Sequence, residues 1–241
     1  MPVAVASEYI EAVAHLPLGT KLLAEDVMWK EYEQLLSELG PSYSVRVFYD
    51  QGRMEIVSPK PIHERPIEIL HRLVIAISDQ LDIDIESLGS TTLKKQMREA
   101  GAEPDASFYV RNAAVIHGYL DLDLAHDPPP DLVIESDHTS SSLDEFGIYA
   151  RLGVPEIWRV FSQQVSFWLL NGNTYLEAER GHSFEFLTVQ ILNEYLEQGL
   201  MSGERRAAKA FREWIKTHSL SLRLHQLGQS SNPGCRRSRQ R

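Results

Sequence analysis

Two acidic segments contain the residues whose types and spacing are best suited to chemistry. Asp105 stands at the start of the apolar run 106–110, and Glu135 ends the apolar run that begins at Leu132. Short apolar runs of this kind are typical of buried strands. A carboxylate on such a strand needs a hydrogen bond, a partner charge or a metal ion. Two neighbouring strands that each bring one carboxylate to the same end would form an oxygen-ligand site for Mg²⁺ or Mn²⁺, ions that often serve phosphate chemistry.

Two more acids stand where helices are predicted to begin. Glu64 opens the helix predicted over 64–81, and Glu145 lies in the first turns of a helix that ends at Arg151. Glu64 is a candidate third acid or water-positioning group for the same site. Each acid also has an ordinary structural interpretation, because acidic side chains are favoured in the first turn of a helix and Asp after Pro is common in turns. The residues alone leave both interpretations open.

The composition predicts a cytoplasmic protein with a single main domain. The chain has 241 residues, of which 43% are hydrophobic and 24% are charged, which is ordinary for a globular protein. Its one cysteine, Cys235, cannot form an internal disulfide. No apolar run approaches the roughly 20 residues of a membrane span. The first residues lack the basic start and continuous apolar stretch of a secretory signal.

Charge is distributed unevenly along the chain. The formal net charge is −10, yet the segment 204–241 contains ten Lys and Arg against two Glu. The remaining acidic body disfavours tight non-specific binding of DNA, because it repels polyanions. The basic segment is either a solvated terminal extension or an arm that contacts nucleic acid.

The elements that must position these acids form an α+β (mixed α/β) pattern with hairpins and at least one crossover. We expect an N-terminal extension over 1–27, a main domain over 28–200, a helical extension over 201–227 and a disordered basic tail over 228–241. Helices are predicted over 29–39, 64–81, 189–195 and 205–218, and over a segment capped by Ser140–Ser142 that ends before Gly153. Strands are predicted over 45–49, 54–57, 83–88, 106–110, 132–135, 156–160, 165–169 and 174–176.

Several short motifs between Trp29 and Leu200 carry a resemblance to a known family. They are Trp29-x-x-Tyr32, Tyr49-Asp50-x-Gly52, Ser58-Pro59, His63-Glu64, Gly89-Ser90-Thr91-Thr92-Leu93, Glu103-Pro104-Asp105-x-x-x-Tyr109, Pro130-Asp131-Leu132-Val133-Ile134-Glu135 and Tyr149-x-x-x-Gly153-Val154-Pro155-Glu156-Ile157-Trp158. In this combination the sequence resembles the Uma-type restriction endonuclease family, a branch of the PD-(D/E)XK nuclease superfamily. The resemblance implies a restriction-endonuclease-like core, with a mixed central sheet flanked by helices, a divalent-metal site and cleavage of DNA.

The resemblance also implies roles for particular residues. It matches Asp105 to the metal-binding aspartate, Glu135 to the acid of the (D/E)XK strand and Glu64 to the helix glutamate. These three are the implied metal ligands, with Mg²⁺ or Mn²⁺ as cofactor, and together with Glu145 they are the candidate catalytic residues.

One position departs from the family pattern. The resemblance implies a lysine four residues before Tyr149, and this sequence has Glu145 there; position 137, the lysine's ordinary place in the superfamily, is Asp137. A carboxylate beside a phosphodiester repels it, although Glu145 could instead recruit a second metal ion or act as a base. Lys94 and Lys95, in the strand before Asp105, are alternative sources of positive charge.

Three functions therefore stay open at the level of sequence. The first is a Mg²⁺-dependent endonuclease that acts on DNA, which we expect to be a homodimer by analogy with nucleases in which one site cuts one strand. The second is a catalytically degenerate nuclease fold that binds DNA or a protein. The third is an α+β domain whose acids are structural.

Overall fold

A computed structural model describes residues 5–39, 45–59, 61–119, 122–136 and 143–229. The helices in these ranges are α1 Val5–Ala14, α2 Trp29–Leu39, α3 Pro61–Leu81, α4 Ala113–Ile116, α5 Glu145–Leu152, α6 Val189–Ser202 and α7 Glu204–Gln229. The strands are β1 Lys21–Ala24, β2 Arg46–Asp50, β3 Arg53–Val57, β4 Glu86–Ser87, β5 Leu93–Lys95, β6 Ala100–Ala102, β7 Ala106–Tyr109, β8 Leu132–Ser136, β9 Glu156–Phe161, β10 Gln164–Asn171 and β11 Thr174–Ala178.

The larger sheet has six strands in the order β11-β10-β9-β8-β7-β4. Its central pair, β8 and β9, is parallel, and its other pairs are antiparallel. Parallel neighbours need a crossover connection, and α5 lies in the segment that joins β8 to β9. The mixed α+β architecture predicted from the sequence is confirmed, with β7 and β8 as adjacent strands.

The smaller sheet has five strands in the order β1-β3-β2-β6-β5, and all its pairs are antiparallel. Its centre is the predicted hairpin, whose turn residues Gln51 and Gly52 have φ values of 49° and 87°. Two positive φ angles in a two-residue loop match the right-handed twist of the flanking strands. Strand β1, which no sequence pattern predicted, extends this sheet by pairing with β3.

Apolar cores on both faces of the larger sheet and on the far face of the smaller sheet hold the layers together. On one face of the larger sheet, side chains such as Leu70, Phe108 and Trp158 pack with α3, α6 and α7. On the other face, Val133 and Ile157 pack through α5 against the smaller sheet. The far face of the smaller sheet packs against α1 and α2. Helix α5 therefore lies between the two sheets, directly above the face of β8 that carries Glu135.

Most predicted elements are present, and their differences have local causes. The strand predicted over 83–88 is reduced to Glu86–Ser87, because it is an edge strand that pairs only with the end of β7. Helices α6 and α7 continue beyond their predicted ends. Gly153 ends α5 with a φ of 85°, as predicted. The predicted caps Ser140–Ser142 and the tail from residue 230 lie outside the described residues. The predicted domain limits stay predictions.

Candidate metal centre

Asp105 and Glu135 meet at one end of the antiparallel pair β7 and β8. Ala106 pairs with Ile134, so the residue before β7 lies beside Glu135. Asp105 Oδ2 accepts a hydrogen bond from the Ser136 backbone N–H at 2.8 Å, and the Asp105 backbone donates one to the Glu135 carboxylate. The side chain of Asp105 is 3% exposed and Glu135 is 5% exposed. The structure thus brings the two acids predicted to form a site into direct register.

The alternation of β8 decides which way Glu135 faces. Leu132 and Ile134 belong to the core beneath α3, whereas Val133 belongs to the core beneath α5. Because successive side chains of a strand point to opposite faces, Glu135 shares the α5 face with Val133. There it accepts a hydrogen bond from the hydroxyl of Tyr149, which is fully buried on α5.

Glu145 is a third carboxylate whose charge acts on Glu135. It begins α5, one helical turn before Tyr149, and is half-buried. Burial, followed by the Asp105 and Glu145 carboxylates, holds the pKa of Glu135 well above its usual range, although hydrogen bonds from Tyr149 and the Asp105 backbone act in the opposite direction. We refer to these three carboxylates, Asp105, Glu135 and Glu145, as the acid cluster. Such a cluster favours either a proton or a cation.

Glu64 lies in the first turn of α3 and is half-buried. Within the ranges that the structure describes, His, Cys, Asp and Glu side chains form no group of three or more placed to hold a metal ion. The protein ligands that the geometry does bring together are therefore Asp105 and Glu135. Two carboxylates are sufficient for Mg²⁺, which commonly completes its six ligands with waters and substrate phosphates.

A cation that the sequence patterns did not indicate lies beside this site. Arg46, the first residue of β2, places Nε 3.6 Å from Asp105 Oδ1. No spacing rule connects β2 with β7, since they belong to different sheets, so no sequence signal could have found this contact. Lys94, an alternative raised from the sequence, forms an ion pair with Glu33 at 3.0 Å.

Asp131, the other acid of the Pro-Asp motif before β8, has a different role. Its Oδ2 accepts hydrogen bonds from the backbone N–H groups of Val110, Arg111 and Asn112 at 2.8, 2.9 and 3.1 Å. Its Oδ1 accepts from the Asn112 side-chain amide at 3.0 Å. These bonds fasten the end of β7 to the start of β8 and leave little capacity for a metal ion.

Fold and site together define an α+β domain with a buried carboxylate pair of the kind that metal-dependent hydrolases use. A family model described as "Uma2: Putative restriction endonuclease" matches residues 29–200. This match covers most of the chain, and the protein belongs to the Uma2 family. The resemblance inferred from the motifs is confirmed. Restriction-endonuclease-like families generally use divalent metal ions and act on DNA.

Among solved structures, the chain is similar to one described as "a putative nuclease belonging to DUF820" from Anabaena variabilis ATCC 29413. The two share 16% sequence identity with a TM-score of 0.41, over 62% of this chain and 90% of that one. A comparison with curated proteins finds no match. Among the described residues, each helix is too short or too polar to cross a membrane.

Proposed function

We propose that this protein is a divalent-metal-dependent endonuclease that hydrolyses phosphodiester bonds of DNA, with Asp105 and Glu135 as metal ligands. The observation that carries the proposal is the acid cluster. Its two deepest carboxylates lie on adjacent strands, and the pKa of Glu135 is raised by burial and by its acidic neighbours. A divalent cation would relieve this repulsion, so the residues present suit the group. Membership of the Uma2 family supports DNA as the substrate.

Under this proposal the chain holds its ligands through hydrogen bonds that already exist. The Ser136 N–H holds one oxygen of Asp105, and the Tyr149 hydroxyl orients Glu135. Glu64 would be the third acid, as a ligand or through an ordered water. When bound, Mg²⁺ or Mn²⁺ supplies a more acidic water and neutralises charge on the phosphate.

Hydrolysis also requires a proton acceptor and a proton donor. A water oxygen forms a bond to phosphorus, the bond from phosphorus to the leaving sugar oxygen breaks, the water loses a proton to a base and the leaving oxygen gains one from solvent. Glu145 is the proposed base, because it is half-buried and close enough to Glu135 to raise that residue's pKa. A base in this position would take the place of the lysine that the family pattern expects.

The test is cleavage of supercoiled plasmid and linear duplex DNA with Mg²⁺ or Mn²⁺, with chelator added in parallel. We expect the wild type to cleave DNA and Asp105→Ala to cleave it at least about a hundredfold more slowly. Glu177→Gln is the control, because Glu177 is exposed on β11, and its cleavage rate should equal that of the wild type. Absence of cleavage by the wild type, with no metal binding in calorimetry, would remove the proposal.

A second candidate function is a nuclease fold that binds DNA or a protein without cutting. It is favoured by Glu145, because the charge that this carboxylate exerts on Glu135 would also repel a phosphodiester bound there. The variant Glu145→Lys separates the two candidates. Cleavage gained by Glu145→Lys supports the binding module, whereas cleavage lost from an active wild type shows that Glu145 takes part in the reaction.

We also propose a homodimer, on the reasoning that one site cuts one strand and a duplex has two. Light scattering on the purified protein measures this directly. A molar mass twice that of the 27.4 kDa chain is expected, and a monomer at all concentrations would contradict it.

A further inference from the structure

Arg46 is a cation that lies beside Asp105 of the acid cluster. Its Nε is 3.6 Å from Asp105 Oδ1, and its side chain is 17% exposed. It also acts on Glu103, a half-buried acid, whose pKa is raised by burial and lowered in part by hydrogen bonds from Thr92 and Val47 and by the charge of Arg46. Arg46 therefore extends from the smaller sheet toward the proposed metal ligands of the larger one.

The hydrogen-bonding state of Arg46 is incomplete. Among the described residues, its Nε is buried without a hydrogen-bond partner. The Asp105 oxygen lies beyond the usual N–H···O range of about 2.7–3.2 Å, so it provides charge but not a hydrogen bond. Buried polar groups are rarely left unsatisfied in folded proteins. The Nε itself is out of contact with solvent, and the exposed part of the side chain is the part that a ligand can reach.

Glu103 interacts with Arg46 through charge, and its recorded hydrogen bonds come from other groups. Its Oε2 accepts from the Val47 backbone N–H at 2.9 Å, and its Oε1 accepts from the Thr92 hydroxyl at 2.7 Å. The contacts of Glu103 fix the strand beside Arg46 and hold the arginine's surroundings in place. Among the described residues the Arg46 Nε has no acceptor, and the oxygens of a bound phosphate are acceptors that suit a guanidinium at this site.

We propose that Arg46 binds a non-bridging oxygen of the phosphodiester to be cut, and so supplies the positive charge that position 145 lacks. This inference rests on the proposed nuclease function. A guanidinium presents several donors in one plane and matches the oxygens of a phosphate. Since Arg46 adjoins Asp105, a phosphate drawn to a cation at Asp105 and Glu135 comes next to its donors. Arg46 would then be a catalytic residue that touches the substrate.

The competing explanation is that Arg46 is only a counter-ion for Asp105 and Glu103. The two explanations differ in what Arg46→Gln changes. A counter-ion contributes to folding and affects DNA only through the fold. A phosphate ligand contributes to DNA affinity even when the folded protein and its metal site are intact.

The experiment measures binding of fluorescein-labelled duplex DNA by anisotropy in Ca²⁺, and binding of Mn²⁺ by calorimetry, for the wild type and Arg46→Gln. We expect Arg46→Gln to lose about tenfold or more in DNA affinity and to keep or improve its Mn²⁺ affinity, since it no longer places a cation beside Asp105. Arg53→Gln is the matched control, because Arg53 lies on the same hairpin, 44% exposed and paired with Asp50; its DNA affinity should equal that of the wild type.

Equal DNA affinity in folded Arg46→Gln and wild type would overturn the role of Arg46 while leaving the nuclease proposal intact. A wild type that binds neither Mn²⁺ nor DNA and cuts no DNA would overturn both. If Arg46→Gln does not fold, Arg46→Lys decides, because it keeps the charge beside Asp105 but lacks the planar donors. A loss of about threefold or more in DNA affinity for Arg46→Lys supports the inference, and wild-type affinity contradicts it.

Discussion

The buried acids of the larger sheet have two different kinds of surroundings. Asp131 and Glu156 are surrounded by N–H donors, whereas Glu135 is buried and is raised in pKa by two other acids, Asp105 and Glu145. Glu156 accepts from the Trp158 indole at 2.7 Å and from the His182 and Ser183 backbone N–H groups at 3.0 and 2.6 Å. The pKa of Glu135 is instead raised by burial and by neighbouring carboxylates.

This difference separates acids that stabilise the fold from acids that are candidates to bind a metal ion. Burial alone does not separate them, since Asp131, Glu135 and Glu156 are each no more than 5% exposed. The number of donors does separate them, because a carboxylate with three or four N–H partners has its charge compensated within the fold. A carboxylate whose nearest charged neighbours are acids needs a partner from outside.

The largest expected effect concerns the structural pair. Asp131→Ala removes four hydrogen bonds to a charged group, so we expect a loss of about 3 kcal/mol in the free energy of unfolding, measured by urea denaturation. Asp79→Ala is the control, because Asp79 is 54% exposed and forms one ion pair with Arg212, which is worth at most about 1 kcal/mol. Equal losses in the two variants would break the distinction between structural and site acids.

The next effect is metal-dependent stability. A cation that binds only the folded protein adds about 2.7 kcal/mol when its concentration is a hundredfold above Kd. We expect Mn²⁺ to raise the melting temperature of the wild type and of Asp131→Asn, and not that of Asp105→Asn. A rise of the same size in Asp105→Asn would place the ion elsewhere.

A smaller expected change in stability has opposite signs for Glu→Gln substitutions at two positions of the larger sheet. Without metal, Glu135→Gln removes charge from the acid cluster and should stabilise the protein by about 1 kcal/mol. Glu156→Gln should destabilise it by about 1 kcal/mol or more, because an amide accepts its three N–H bonds less strongly. Chemical denaturation in chelator compares the two variants, and a change of the same sign in both would show that their surroundings are equivalent.

The smallest effect belongs to an acid at the exposed edge of the sheet. Glu86, on β4, accepts a hydrogen bond from His117 Nδ1 at 2.6 Å, and this hydrogen bond and the carboxylate charge raise the pKa of His117 above its ordinary value. The His117–Glu86 pair therefore stabilises the folded protein fully below the pKa that His117 has in the unfolded chain. This stabilisation is lost as the pH rises through the pKa of His117 in the folded protein. NMR titration should show a raised pKa for His117 in the wild type and a lower, ordinary pKa in Glu86→Gln. The same His117 pKa in both proteins would contradict the role of Glu86.

Much of the fold could be predicted from local patterns. The helix Trp29–Leu39, the hairpin around Gln51 and Gly52, and the strands on either side of α5 follow from periodicity and turn chemistry. Strand β1 and the short β6 could not be predicted, because they are stabilised by pairing with strands distant in the chain. The positions of Asp105 and Glu135 could be predicted as neighbours, and their burial gives the pair its chemical character.

The sequence by itself determined the elements, the membership of a nuclease family and the identity of the paired acids, because these depend on residue types and short spacings. The three-dimensional packing was needed to show that Asp131 accepts four hydrogen bonds, that the charge of Glu145 acts on Glu135 and that Arg46 lies beside Asp105. The physical reason is that electrostatic compensation of a buried charge depends on which distant groups the packing brings within a few ångströms. No spacing along the chain contains that information.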